Sequence, residues 1–200
     1  MNIDYRFYYW GPFLWKSKIP LDICEEMLAR FSKSNLDHAA GLASIIKTVN
    51  RIDDRDDRGW FVNKINPYLD CYLNLRKEYY NLPDTVDNQL ELHKLWINVQ
   101  KQHEYNPEHW HGGDLSFVIY LQMPDAIREE NKKFVGKSGG PGAIMFRYGE
   151  FSNWSVNNHQ FMPEVGDIFI FPAQLAHGVY PFYSDAERIS VSGNFGFVND

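Results

Sequence analysis

Cysteine is scarce in this 200-residue chain, which holds only Cys24 and Cys71. Two thiols do not make a disulfide framework, and the count fits a reducing compartment. Long apolar runs are missing too. No stretch approaches the ~20 residues that span a bilayer, and no apolar secretory core occurs in the first 20. Positive charge is also in short supply. Twenty Lys and Arg stand against 26 Asp and Glu, a formal net charge of −6. Phosphate-binding surfaces want clustered cations, so nucleic acid is not expected as a partner. No repeat or low-complexity segment occurs. These absences favour a cytoplasmic protein with no membrane partner.

What the chain does have is aromatics, at 16% of residues. Such side chains bury large areas and fit strands well, which leans toward a β-rich core. The length suits one domain, residues 1–200. Residues 5–10 read as a short strand, and a helix is expected from Pro20 with Ile23, Met27, Leu28 and Phe31 on one face. Cys24 adjoins that stripe as a small buried hydrophobe. Residues 35–49 suggest a second short helix. The mixed charges of residues 51–58 read as a solvated loop. Asn66-Pro67 reads as the start of a helix running to about Tyr80.

From about residue 90 the pattern changes to short apolar runs between turns. Strands are expected over 92–100, 115–123, 143–148, 168–171, 177–180 and 188–197, with residues 125–142 as a polar loop. Many short strands with Gly and Pro punctuation favour a jelly roll. The expected fold is therefore α+β and mainly β, with a helical support region over 1–88 and a jelly-roll core over 89–200.

The chemistry concentrates in a few positions. His109 and His111 are one residue apart, and in an extended segment such side chains share a face. They can aim at one metal ion. His177 follows an apolar strand and a proline turn, and is the candidate third ligand. Three protein ligands leave open positions, as a catalytic metal needs. Asp114, just beyond Gly112-Gly113, is the nearest carboxylate and the alternative to His111. His38, His93, His103 and His159 read as surface or hydrogen-bonded histidines. On the C-terminal strand, Arg188, Ser190, Ser192 and Asn194 share a face. Arg188 is the natural partner of a carboxylate, and Ser190 adds a hydroxyl. Tyr120 lies among apolar residues of its strand, and its phenol needs a partner there.

Together, His109-Trp110-His111, the strand with Leu115-Ser116 and Tyr120-Leu121, the segment from Pro163 through Gly166-Asp167 and Pro172 to His177, and Arg188-Ile189-Ser190 resemble the iron(II) and 2-oxoglutarate-dependent oxygenases. The nearest likeness is to small oxygenases of bacteria and their phages with a His-x-His motif. It covers roughly residues 92–197. The resemblance implies a double-stranded β-helix, with iron(II) held by His109, His111 and His177. It implies that Arg188, Ser190 and Tyr120 bind the distal carboxylate of the cosubstrate 2-oxoglutarate. Dioxygen would be consumed, and a small-molecule or peptidyl substrate hydroxylated. At His111 most of the superfamily has Asp or Glu, which keeps Asp114 open as the third ligand. The oligomeric state is left open, a homodimer among the options.

Two rivals share the architecture. A cupin-type metal enzyme would also use the histidines, but does not need Arg188, Ser190 and Tyr120. A non-enzymatic jelly-roll module would leave all of these residues unexplained.

Overall fold

The run Leu115–Gln122 is buried along nearly its whole length. Alternate side chains of a strand point to opposite faces, so both faces of this strand must be covered. Phe117, Ile119 and Leu121 belong to one core cluster, Val118 and Tyr120 to another. The computed structural model describes residues 11–34, 36–37, 44–83 and 89–198.

In chain order the elements are β1 (Trp15–Lys18), α1 (Leu21–Phe31), β2 (Leu36–Asp37), β3 (Thr48–Arg51), α2 (Arg55–Tyr80), β4 (Leu90–Gln100), β5 (Asn106–His109), β6 (Leu115–Gln122), α3 (Asp125–Lys132), β7 (Ile144–Arg147), β8 (Asn158–Phe161), β9 (Asp167–Pro172), β10 (Ala176–Val179) and β11 (Arg188–Phe197). A seven-stranded sheet runs β1-β9-β6-β11-β4-β3-β2, and a four-stranded sheet runs β5-β10-β7-β8. Every pairing is antiparallel. The chain is mainly β, as composition and punctuation predict.

One core packs α1 and α2 on the outer face of the larger sheet, where Phe61 stacks on Phe117 with ring centroids 5.3 Å apart. Cys24, Met27 and Phe31 supply the buried side of α1. A second core lies between the sheets, around Phe146, Phe169 and Phe171. Fully burying one such phenylalanine is worth about 1.5–3 kcal/mol.

Several local expectations need correction. The helix expected to start at Asn66-Pro67 starts at Arg55 instead, with Pro67 inside it. Asp54 caps it by accepting from the Asp57 N–H at 2.9 Å, and Phe61 and Ile65 are buried before the proline. Cap and burial together outweigh the ~3 kcal/mol that an interior proline costs. The charged run 51–58 is thus partly a helix start, not all loop.

Within 35–49 the described residues form β2 and the start of β3, not a helix; 38–43 lie outside the described residues, as do His38 and the strand expected over 5–10. The stretch 125–142 begins with α3. That helix buries only Ile127, so its apolar period is nearly invisible in sequence. It is held instead by Glu130, which accepts from the Tyr183 and Ser184 N–H groups.

Candidate metal and cosubstrate site

The register of the larger sheet lines up its inward-facing residues in rungs. Lys94, Asn194 and Ser116 are neighbours across β4, β11 and β6; so are Trp96, Ser192 and Val118, and then Asn98, Ser190 and Tyr120. Arg188 pairs with Gln100 at the end of this ladder. Most of these side chains line a cavity of about 350 Å³, with His109, His111 and His177 facing them.

The three histidines converge. His109 ends β5 and pairs in register with His177 on β10. His111 follows in the turn, tied by its N–H to the Ala173 carbonyl at 2.9 Å. Gly113 makes that turn possible. Its φ is +98°, and a Cβ there would lie 2.9 Å from the Phe195 carbonyl oxygen. One nitrogen from each of the three rings lies within 4.8 Å of the others. Small rotations bring such nitrogens to the ~2.1 Å that imidazole takes from a metal.

The hydrogen bonds indicate which nitrogen carries the proton, and His109 Nε2 has the Asn106 Nδ2 at 3.4 Å as a weak donor. His109 Nδ1 lies 2.7 Å from the Pro107 carbonyl and His177 Nδ1 lies 2.8 Å from the Leu175 carbonyl. A carbonyl only accepts, so each Nδ1 carries the proton and Nε2 keeps its lone pair for a metal. Burial lowers the pKa of all three, to about 4 for His111 and about 3 for His177. The imidazoles are neutral at physiological pH, the form that ligates metal.

Asp114 is not brought to this cluster. Its carboxylate is exposed and accepts from the Phe197 N–H at 2.8 Å, closing the end of β11. Among the described residues no other group of His, Cys, Asp and Glu converges in this way.

At the other end of the ladder the polar groups are starved. Arg188 is 3% exposed and donates through Nη1 to the Gly142 carbonyl at 3.0 Å, but its Nε has no partner among the described residues. Its guanidinium lies 5.4 Å from the Tyr120 ring centre. Tyr120 is fully buried and its Oη also lacks a partner. Burial pushes that phenol up to about 12, so it stays a donor. Leaving buried polar groups unpaired costs roughly 1–3 kcal/mol each. An acceptor carrying negative charge satisfies both. The donor set thus fits a 2-oxoglutarate carboxylate at this end and a divalent ion at the imidazoles.

Residues 94–194 match the family model described as "Putative 2OG-Fe(II) oxygenase". The chain belongs to this 2OG-Fe(II) oxygenase family. The oxygenase depends on iron(II) and 2-oxoglutarate, and the cupin and non-enzymatic alternatives fall away. No curated protein matches it in sequence.

Its fold is shared with solved structures. The viral collagen prolyl hydroxylase of Paramecium Bursaria Chlorella virus-1, in complex with 2OG, has a TM-score of 0.60 at 15% identity, covering 94% of this chain and 98% of that one. A prolyl-4-hydroxylase of Pseudomonas putida has 0.56 at 16%, covering 93% of each. HygX of Streptomyces hygroscopicus, with nickel and 2-oxoglutarate bound, has 0.56 at 10%, covering 92% and 83%.

The sequence shows one face of β11 and a strand over 92–100, but the inward face of that strand, β4, was not singled out. Lys94, Trp96 and Asn98 alternate there with Leu95, Ile97 and Val99, and that period of two was the available signal.

Proposed function

We propose that His109, His111 and His177 hold the iron(II) of this oxygenase, and that Arg188, Ser190 and Tyr120 grip the far carboxylate of 2-oxoglutarate. The enzyme then hydroxylates an unactivated C–H bond of a small molecule or a peptidyl residue. The observation that carries this reading is the pair of buried, unpartnered polar atoms, Tyr120 Oη and Arg188 Nε. They share an enclosed end of the cavity whose other wall carries three convergent neutral imidazoles.

Iron(II), with 2-oxoglutarate and dioxygen, supplies the oxidising chemistry, and succinate and carbon dioxide are the co-products. The protein's part is to hold and to exclude. Arg188 supplies a fixed cation at the closed end, and Tyr120 donates its hydroxyl proton to the same carboxylate. The Pro107 and Leu175 carbonyls keep Nε2 of His109 and His177 as the ligating atoms. Val118, Ile144, Phe171 and Val179 wall the cavity with apolar surface and keep water from the reacting end. Three imidazoles add no negative charge, so a bound ion keeps its full double charge, unlike in a site with one carboxylate.

We read residues 1–200 as one domain, a double-stranded β-helix braced on its outer face by α1 and α2. No helix among the described residues is long and apolar enough to cross a membrane. Both cysteines are free thiols, which supports a cytoplasmic location.

Anaerobic addition of iron(II) and then 2-oxoglutarate to the purified protein is expected to give a weak visible metal-to-ligand charge-transfer band. Absence of the band, together with no 2-oxoglutarate binding by calorimetry, would overturn the reading.

A further inference from the structure

We propose that the substrate oxidised by this enzyme carries an anionic oxygen group, a carboxylate or a phosphate, that is held by Lys94 at the mouth of the cavity. The inference rests on the assignment of the Arg188 end to 2-oxoglutarate.

The register gives the argument its geometry. The His111 ring lies edge-on to the Trp96 ring, with centroids 5.6 Å apart, so the imidazole cluster sits over the Trp96–Ser192 rung. Arg188 and Gln100 lie four residues along β4 in one direction, a run of about 13 Å. Lys94 lies two residues in the other direction, about 7 Å away. The cosubstrate stretches from the imidazoles toward Arg188. Lys94 therefore stands beyond the metal on the side left for the molecule to be oxidised.

Charge points the same way. The protein carries a net charge of −6, yet among the described residues no aspartate or glutamate lines this cavity. Lys18 pairs with Glu164 and Asp167, Lys101 with Glu187 and Lys132 with Glu129, whereas among the described residues Lys33 and Lys77 form no ion pair. Among the described residues, no hydrogen bond or ion pair holds the Lys94 ammonium. A divalent ion, Arg188 and the two carboxylates of 2-oxoglutarate together leave one net positive charge, to which the three neutral imidazoles add nothing. Lys94 remains as an uncompensated cation at the open end, where a single-signed field steers and holds an anion.

Two neighbours suit such a group. Asn194, on the same rung, accepts from Ser116 Oγ at 2.8 Å through its Oδ1, which leaves its Nδ2 hydrogens to donate. Trp110, 71% exposed at the same mouth, offers a flat apolar surface to the body of the substrate.

The test uses the full chain loaded with zinc(II) as an unreactive stand-in and saturated with 2-oxoglutarate. Ligand-observed NMR then screens small molecules in matched pairs, each carboxylate with its primary amide and each phosphate ester with its parent alcohol. Binding is expected to concentrate in the anionic members, and the two kinds of pair show which oxyanion is preferred. Lys94→Met should weaken those hits by roughly two- to five-fold, Lys94→Arg should retain them, and 2-oxoglutarate affinity should not change in either. Equal binding of the neutral members, no anionic hit, or anionic hits untouched by Lys94→Met would overturn the proposal. So would a loss of 2-oxoglutarate affinity in Lys94→Met, which would put Lys94 in the cosubstrate clamp. The 2-oxoglutarate titration of the unaltered protein comes first, and failure there overturns the reading of the site itself.

Discussion

The two sheets that face each other across the cavity contribute in different ways. The smaller sheet offers His109 and His177 from strands of only four residues, β5 and β10. Each ring is fixed by a bond to a carbonyl two residues away, so its aim is a local matter. The larger sheet offers Arg188 and Ser190 from the ten-residue β11, which is paired on both sides. Their positions depend on a ladder of many residues, and a one-residue slip would turn every one of them away from the cavity. Metal binding should thus be sensitive to single side chains, and cosubstrate binding to side chains and register together.

The largest separation of the two is expected from His177→Ala. Metal affinity should fall by a factor on the order of 100 or more, since a ligand matters at least as much as the outer partners that orient it. Competition with a chelating dye reads this directly. A loss below ten-fold would show that the smaller sheet is not the metal's main holder.

Next comes Arg188→Ala. Removing one partner of a buried charged pair costs about 2–5 kcal/mol, roughly 30- to 5,000-fold in Kd. Calorimetry with 2-oxoglutarate should show that loss while zinc affinity is retained. Equal loss of both would mean that the variant had disturbed the ladder and not just the clamp.

The smallest effect is the most discriminating. Tyr120→Phe should weaken 2-oxoglutarate by about 1 kcal/mol, near five-fold in Kd. Without cosubstrate the same change should leave thermal stability unchanged or raised, because it deletes a buried hydroxyl that has no partner. A clear fall in the melting temperature of the cosubstrate-free protein would contradict the account of that end of the pocket.

Much of this contrast is legible in the sequence itself. The alternation along residues 188–197 showed its polar face, and the spacing of His109 and His111 showed a shared aim. Both signals are periodic and short-range, so sequence carries them well. The start of α2 was hidden because Pro67 looks like a beginning, while the decisive Asp54 cap and the burial of Phe61 and Ile65 depend on packing against the sheet. The polar β8 over Asn158–Phe161 was missed because it alternates weakly and lies largely exposed. Lys94 was passed over for another reason. An exposed lysine on a strand is unremarkable until the register shows which rung it occupies.

Asp114 and His111 show the limit most clearly. Two glycines between them allowed either to turn inward, and only the backbone path separates them. His111 stands with the other imidazoles, whereas Asp114 closes the end of β11. Competitive zinc(II) titration of His111→Ala and Asp114→Ala tests this most directly. The three-histidine account predicts a loss on the order of 100-fold for His111→Ala and unchanged affinity for Asp114→Ala. Loss of metal in Asp114→Ala with retention in His111→Ala would contradict it.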